Sequence, residues 1–263
     1  MGKIKTFLKY TKDFLKHGEF RFVLSSVRYI LKGKTTRKTR YYKSSLGKFL
    51  VRKGTLDFQF ANYAYEWGVK KFVYKHLNDY NVFLDVGANI GTYSILLAKQ
   101  GLTGYAFEPV ISNYDVFITN LKLNNIEDKV VAFPFALGEK KRTVGFTFDP
   151  VNTGASHINE NSDFLEEIHN PLFVNADVIP LDDMLDKLDI KETDRILVKI
   201  DVEGMEDLVL KGAKKFIKNH PNLLFVIESV HSGKEKLVNL LNSFADFEIM
   251  EVDELNIGAK KIK

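Results

Sequence analysis

The sequence predicts an α/β fold, a mostly parallel sheet with helices on both faces. Three observations predict it. Short apolar runs of strand length recur from Val82 onward and alternate with helical patterns. Those runs are apolar almost throughout instead of alternating with polar residues, as strands buried on both faces are. The first of them breaks into a tight glycine turn, Gly87-Ala-Asn-Ile-Gly91, that opens a helix. Crossovers between such strands are expected to be right-handed.

Taken in order, Ile4, Phe7, Leu8, Phe14 and Leu15 recur at helical spacing. Phe20, Val23, Leu24, Val27, Ile30 and Leu31 repeat the pattern after His17-Gly18, so two amphipathic helices are expected. The basic stretch Lys32 to Lys43, with Gly33, Thr35 and Thr36 inside it, reads as a loop or linker. A third helical pattern carries Tyr63, Tyr65, Trp67, Val69, Phe72 and Val73. The first strand is Val82–Val86, and the helix after it ends near Gly101, a glycine placed to close a helix. The second strand is Gly104–Phe107. Ser112-Asn-Tyr-Asp115 has the spacing of a capping box ahead of Val116, Phe117 and Leu121. The third strand is Val130–Phe135, and Thr143–Phe148 alternates as a short extra strand. Residues 149–175, with Pro150, Gly154 and Pro171, read as polar and irregular. The fourth strand is Ile196–Ile200, followed by a helix from Met205 to Ile217. The fifth is Leu223–Ile227. A last helix carries Leu237, Val238, Leu240 and Leu241, and Phe247–Val252 with the tail after Gly258 forms a closing hairpin.

Composition narrows the chemistry. The chain has no cysteine, which excludes disulfides, thiol catalysis and cysteine-ligated zinc. No apolar run approaches the roughly 20 residues of a membrane span. The first residues are too charged for a secretory signal, so a cytoplasmic location is the expectation. The net charge of +4 conceals a division: residues 1–53 hold 16 Lys+Arg and 2 Asp+Glu, a balance of +14. The remainder, 22 basic against 32 acidic residues, balances at −10. A basic arm over residues 1–53 facing an anionic surface, membrane or nucleic acid, is the reading of that asymmetry.

The glycine turn lacks the G-x-G-x-x-G spacing of dinucleotide binders. Asn89 stands where the middle glycine would let the backbone approach a pyrophosphate. The turn therefore suits a nucleoside ligand without phosphates, of which S-adenosylmethionine is the commonest. In open parallel sheets ligands sit beyond the carboxyl ends of the strands, and those ends select the residues to weigh. The first delivers Asp85 and the turn, the second Glu108-Pro109, the third Ala136-Leu137, the fourth Asp201-Val-Glu203-Gly204, the fifth Glu228 and then His231. Glu108 lies 21 residues after Gly87, where an acidic side chain accepts the hydroxyl hydrogens of a ribose. Asp85 either accepts backbone N–H groups of the turn or contacts the cofactor's amino group. Asn89 either caps the helix or faces the cofactor carboxylate, which the positive helix N-terminus also favours.

A mouth lined by Asp85, Glu108, Asp201, Glu203 and Glu228 favours a sulfonium cation and repels a pyrophosphate. Asp201 and Glu203, two residues apart, share a face on an extended segment with Lys199. They read as contacts to the methionine moiety and the acceptor, as ligands of a hard divalent ion together with Glu228, or as charges complementing a helix N-terminus. No metal is expected at the site. His157, in Asn152-Thr-Gly-Ala-Ser-His157, and His231 are the candidate proton acceptors, since an imidazole titrates near neutral pH.

Three segments carry a resemblance. Asp85-Val-Gly-Ala-Asn-Ile-Gly91, Phe107-Glu-Pro109 and Lys199-Ile-Asp-Val-Glu-Gly204, the last followed by Glu206 and Val209-Leu-Lys-Gly212, resemble the FkbM-type methyltransferases. The Lys-Ile-Asp-Val-Glu-Gly segment is the specific part, and the likeness runs from Val82 to Ser229. It implies a class I, Rossmann-like S-adenosylmethionine-dependent methyltransferase with a seven-stranded sheet whose last strand is antiparallel. It implies transfer of a methyl group to a hydroxyl oxygen of a sugar, glycan or related metabolite. The cofactor set would be Asp85, Gly87, Asn89, Gly91, Glu108, Pro109 and Asp201, with Ala136 and Leu137 beside the adenine. Asp201, Glu203 and His231 would form the catalytic set. The division expected is a basic helical N-terminal extension over 1–60 and a methyltransferase domain over 61–263. Two other readings attach to the extension: an RNA methyltransferase using the basic arm with Tyr10, Phe20, Tyr29, Tyr41 and Tyr42 as stacking rings, and a module that docks on a membrane surface or scaffold.

Overall fold

A computed structural model of the chain describes residues 11, 12, 14–32, 35–154, 156–158 and 172–262. Its centre is a seven-stranded sheet. In chain order the strands are β3 (Val82–Val86), β4 (Thr103–Phe107), β5 (Val130–Phe133), β10 (Ile196–Ile200), β11 (Leu223–Glu228), β12 (Phe247–Glu251) and β13 (Asn256–Lys261). Across the sheet they run β12-β13-β11-β10-β3-β4-β5. β13, last in the chain, pairs antiparallel with both β11 and β12, and the other neighbours are parallel. The order reverses between β3 and β10, which lie side by side with Lys199 opposite Asp85 and Ile200 opposite Val86. That junction is where such a sheet opens a crevice.

β3 and β10 are buried at every residue, which is why they carry no alternation. One face of the sheet is covered by α3 (Trp67–His76), α4 (Thr92–Lys99) and α5 (Ile111–Asn124), the other by α6 (Glu206–Lys211), α7 (Lys214–Asn219) and α8 (Lys234–Asn242). α4 ends as its sequence indicates, with Gly101 at φ +101° donating its N–H to Ala98.

Several expectations are corrected. The basic stretch ending at Lys43 is not all loop: Arg40–Lys43 is a strand, β1, paired antiparallel with β2, Lys48–Val51. β2 buries Phe49 and Val51 against the core that also holds Phe22 and the Phe58 of a one-turn helix, α2 (Asp57–Phe60). The segment read as irregular contains β8 (Ser156–Ile158) and the first half of β9 (Leu172–Ile179). With β6 (Ala136–Leu137) and β7 (Arg142–Phe148) they form a second sheet, ordered β6-β9-β7-β8. β9 is solvated on one face and spans a stretch of mixed polarity, so it escapes the rule for buried strands. The third core strand stops at Phe133 instead of Phe135, because Ala136 and Leu137 turn away to pair with Val178 and Ile179.

The helix expected over 205–217 is two, broken after Lys211. There Gly212 packs so closely on Gly138 that an added Cβ would collide with the Gly138 carbonyl oxygen. The third helical pattern begins its helix only at Trp67, because Glu66 adopts a left-handed conformation (φ 51°). No capping box forms at Ser112, which lies inside α5. Glu108 does that work instead, accepting the Val110 N–H at 2.9 Å. Of the two N-terminal helices, the second is α1, Phe20–Lys32. Much of the first, including Ile4, Phe7 and Leu8, lies outside the described residues.

Candidate active site

The site assembles at the β3–β10 junction. Val86 accepts the Asp201 N–H at 3.0 Å, and the Gly87 and Ala88 N–H groups both donate to the Phe107 carbonyl at 3.0 Å. The ends of β3, β4 and β10 are thereby locked together. Gly87 must be glycine: its φ is +84°, and a Cβ there would strike the carbonyl oxygen of Asp201. Asn89 also takes the left-handed conformation (φ 51°), which asparagine tolerates better than most residues. At Gly91 (φ +88°) a Cβ would strike the Phe117 ring.

A cavity opens over this turn. From the sequence-predicted set it is lined by Gly87, Asn89, Glu108, Pro109, Ala136, Leu137, Asp201, Glu203 and Glu228. Asp85 and Gly91 do not line it. Asp85 is buried beneath the turn and accepts both the N–H (2.9 Å) and the hydroxyl (2.6 Å) of Ser94 in α4. It thus anchors the helix that the turn opens. Burial raises its pKa, partly offset by Lys199 and the Ser94 bonds. His231 does not line the cavity either; its Nε2 lies 3.2 Å from Glu203 Oε2. His157 lies in β8, paired with Thr147.

Glu108 joins the end of β4 to the turn. Its Oε2 accepts the Asn89 N–H at 2.8 Å, and Oε1 takes the Val110 N–H. Oε2 keeps a lone pair for a further donor, and the second lone pair of Oε1 is met only weakly, by Asn113 Nδ2 at 3.5 Å. Burial pushes this carboxyl up to about 7, against the pull of those bonds and of Arg52. Asn89 Oδ1 is buried without a hydrogen-bond partner. An acidic acceptor, an unpartnered amide oxygen and a backbone cradle that a Cβ would fill match a ribose and its attached donor groups. The cofactor therefore fits the residues present.

The other end of the cavity is a charge cluster. Lys199 Nζ lies 2.8 Å from Asp201 Oδ2 and 4.6 Å from the centre of the Tyr93 ring. Burial pulls this ammonium down, but Asp201, Glu66 and Asp85 raise it above its ordinary value. Tyr93 donates its hydroxyl to Glu66 Oε2 at 2.8 Å. Lys70, fully buried beside them, donates to the Tyr65 carbonyl, and burial lowers it to about 8. Glu228 is driven up to about 9 by burial and by the neighbouring Asp201, Glu203 and Glu206. Glu203 sits at φ 53°, a strained conformation for a glutamate. Buried Glu206 holds the strained turn by accepting the N–H groups of Val202 (3.3 Å) and Gly204 (3.1 Å), and it takes the Ser232 hydroxyl beside His231. Glu203, Glu228 and His231 bring ligand-type atoms within 4.8 Å of one another, an oxygen–oxygen–nitrogen set of the kind a divalent ion uses.

Sequence reasoning missed one side of the cavity: Phe60, Tyr65, Glu66, Tyr93, Asn113, Phe146, Thr153 and Gly154. Part of this side is supplied through Arg52. Its guanidinium pairs with Asp57 at 2.7 Å and donates to Asn113 Oδ1 at 2.8 Å. Asn113 in turn reaches the Thr153 carbonyl at 2.9 Å. These links join residues up to 96 positions apart, as Thr153 to Asp57 at 2.9 Å shows. No local pattern announces them.

A model of the FkbM methyltransferase domain matches residues 85–254. The chain belongs to the FkbM methyltransferase family. Its cofactor is accordingly S-adenosylmethionine. No curated protein matches the chain. Among solved structures it is similar to a methyltransferase FkbM from Methylobacillus flagellatus, with 20% identity over 70% of this chain and 44% of that one (TM-score 0.48). It is also similar to a Pyrococcus abyssi tRNA (uracil-54, C5)-methyltransferase, at 12% identity over 86% of this chain and 44% of that one (TM-score 0.43). A precorrin-6y C5,15-methyltransferase from Geobacter metallireducens matches at 15% identity over 74% of this chain and 87% of that one (TM-score 0.43). The chain thus spans less than half the length of the first two.

Proposed function

We propose that this FkbM-family chain transfers the methyl group of S-adenosylmethionine to a hydroxyl oxygen of a sugar, glycan or related metabolite. The observation that carries the reading is the Glu203–His231 pair, 3.2 Å apart, at the acidic end of the cofactor cavity. When bound, S-adenosylmethionine supplies an electrophilic methyl group on a sulfonium. Gly87, Asn89, Glu108 and Pro109 would hold its nucleoside, with Ala136 and Leu137 beside the adenine. Asp85 supports that cradle from below through Ser94.

The acceptor's O–H bond breaks with its proton passing to Glu203, whose carboxylate His231 holds in place. Asp201 is engaged by the Lys199 ammonium and orients the reacting groups. Much of the rate in a displacement of this kind comes from positioning, for which effective molarities are large. Phe60, Tyr65 and Tyr93 give the cavity aromatic walls, and Glu66, Asp201, Glu203 and Glu228 give it hydroxyl acceptors. That lining suits a polyol. It disfavours a phosphate beside the reacting atom, which is the argument against an RNA acceptor.

The test is incubation of methyl-labelled S-adenosylmethionine with cell extract and the full chain. The expected product is an alkali-stable methyl ether in the carbohydrate fraction, abolished by Glu203→Gln. Label confined to RNA or protein would refute the hydroxyl-methylation reading while leaving the family assignment intact.

A further inference from the structure

We infer that the outer face of α1, with the basic residues around it, docks on an anionic lipid bilayer. α1 turns Phe22 and Ser26 into the protein, with the Phe22 ring 5.7 Å from that of Tyr42. Its opposite face carries Phe20, 62% exposed, and Leu24, 75% exposed, one turn apart. Half-buried Val27 continues the same stripe, and exposed Leu15 precedes it. Among the described residues these large apolar side chains join none of the buried core clusters, and solvent contact costs them the hydrophobic stabilisation that burial would give.

Charge says what covers them. Lys12, Lys16, Arg37, Lys38, Arg40 and Lys43 are all exposed in the surrounding segment. The +14 of residues 1–53 stands apart from the −10 of the rest, so the cations are concentrated in the same stretch of sequence as the apolar stripe. An apolar stripe flanked by cations is the arrangement of a helix lying in a membrane interface, where insertion and attraction to anionic headgroups act together. Among the described residues no helix is long and apolar enough to cross a membrane, so the contact is peripheral. RNA would use the cations through phosphate contacts alone and leave Leu15 and Leu24 in water. A second copy of the chain would oppose like charges across the contact. The inference does not depend on the assignment of the methyl acceptor.

The test is co-sedimentation of the full chain with phosphatidylcholine vesicles, with and without phosphatidylserine. The expected result is binding to the phosphatidylserine vesicles that weakens as salt rises. Phe20→Ser with Leu24→Ser should weaken it about tenfold or more, the loss of two inserted side chains. These positions are exposed and do not line the cavity, so S-adenosylmethionine binding by the double variant stays at the wild-type level and reports an intact fold. Absence of binding to phosphatidylserine vesicles, or equal binding by the double variant, overturns the inference. So does a shift of poly(U) in a gel, or a dimer dispersed by the double substitution, when vesicle binding is absent.

Discussion

Glu203 Oε2 and His231 Nε2 lie 3.2 Å apart, joining the loop after β10 to the loop after β11. The hydrogen bond to Glu203 raises the His231 pKa above its ordinary value, with burial opposing it and Glu206 and Asp201 adding to the rise. An NMR titration of the His231 imidazole should therefore give a value above that of a free histidine. Glu203→Gln should return it toward the ordinary value. An unchanged titration in the variant contradicts the pairing.

Burial gives two carboxyls a pH signature. Glu108 titrates at about 7 and Glu228 at about 9, against 4.5 for an ordinary glutamate. Both bind protons more tightly folded than unfolded, so protonation favours the folded state. Their contribution is complete below pH 4.5 and is lost as pH rises through about 7 for Glu108 and about 9 for Glu228. Glu228→Gln, which cannot ionise, should raise Tm relative to wild type at pH 9 and leave little difference at pH 4.5. Thermal melts across that range check it, and a gain equal at both ends would count against the buried-carboxyl account.

The turn itself makes a stability prediction. Gly87→Ala places a Cβ against the Asp201 carbonyl in a backbone conformation that L residues avoid. The expected cost is about 2 kcal/mol or more, which lowers Tm by roughly 4–8 °C in a chain of this size. Calorimetry measures it. A wild-type Tm would mean that the β3–β10 junction is looser than its hydrogen bonds indicate.

Much of this site was legible in the sequence because the strands that build it are short, apolar and buried on both faces. Val82–Val86 and Ile196–Ile200 are bounded to the residue, and the carboxyl ends of the parallel strands name Glu108, Asp201 and Glu203 without coordinates. What stayed hidden depends on distant partners. β9 has one wet face and β2 is only four residues long, so neither shows a clean period. Glu66 enters the cavity through a left-handed kink, and Arg52 reaches Glu108 through Asn113, 61 residues away. Asp85 stood at a strand end among the rim carboxylates, yet it faces Ser94 instead of the cavity. Successive strand side chains point to opposite faces, so Asp85 turns to the face that α4 covers while its neighbour Val86 lines the cavity.

The carboxylate of Glu108 is where the cofactor assignment rests most heavily. It should accept the ribose hydroxyls as a charged acceptor, so affinity for S-adenosylmethionine should rise with pH through about 7. Glu108→Gln should flatten that profile.

Isothermal calorimetry of the full chain with S-adenosylmethionine is the most direct test. The expected result is one site per chain in the wild type, weakened at least about 100-fold by Glu108→Ala, the loss of two hydrogen bonds to a charged group. No binding by the wild type, or tighter binding of NAD at the same site, would contradict the account.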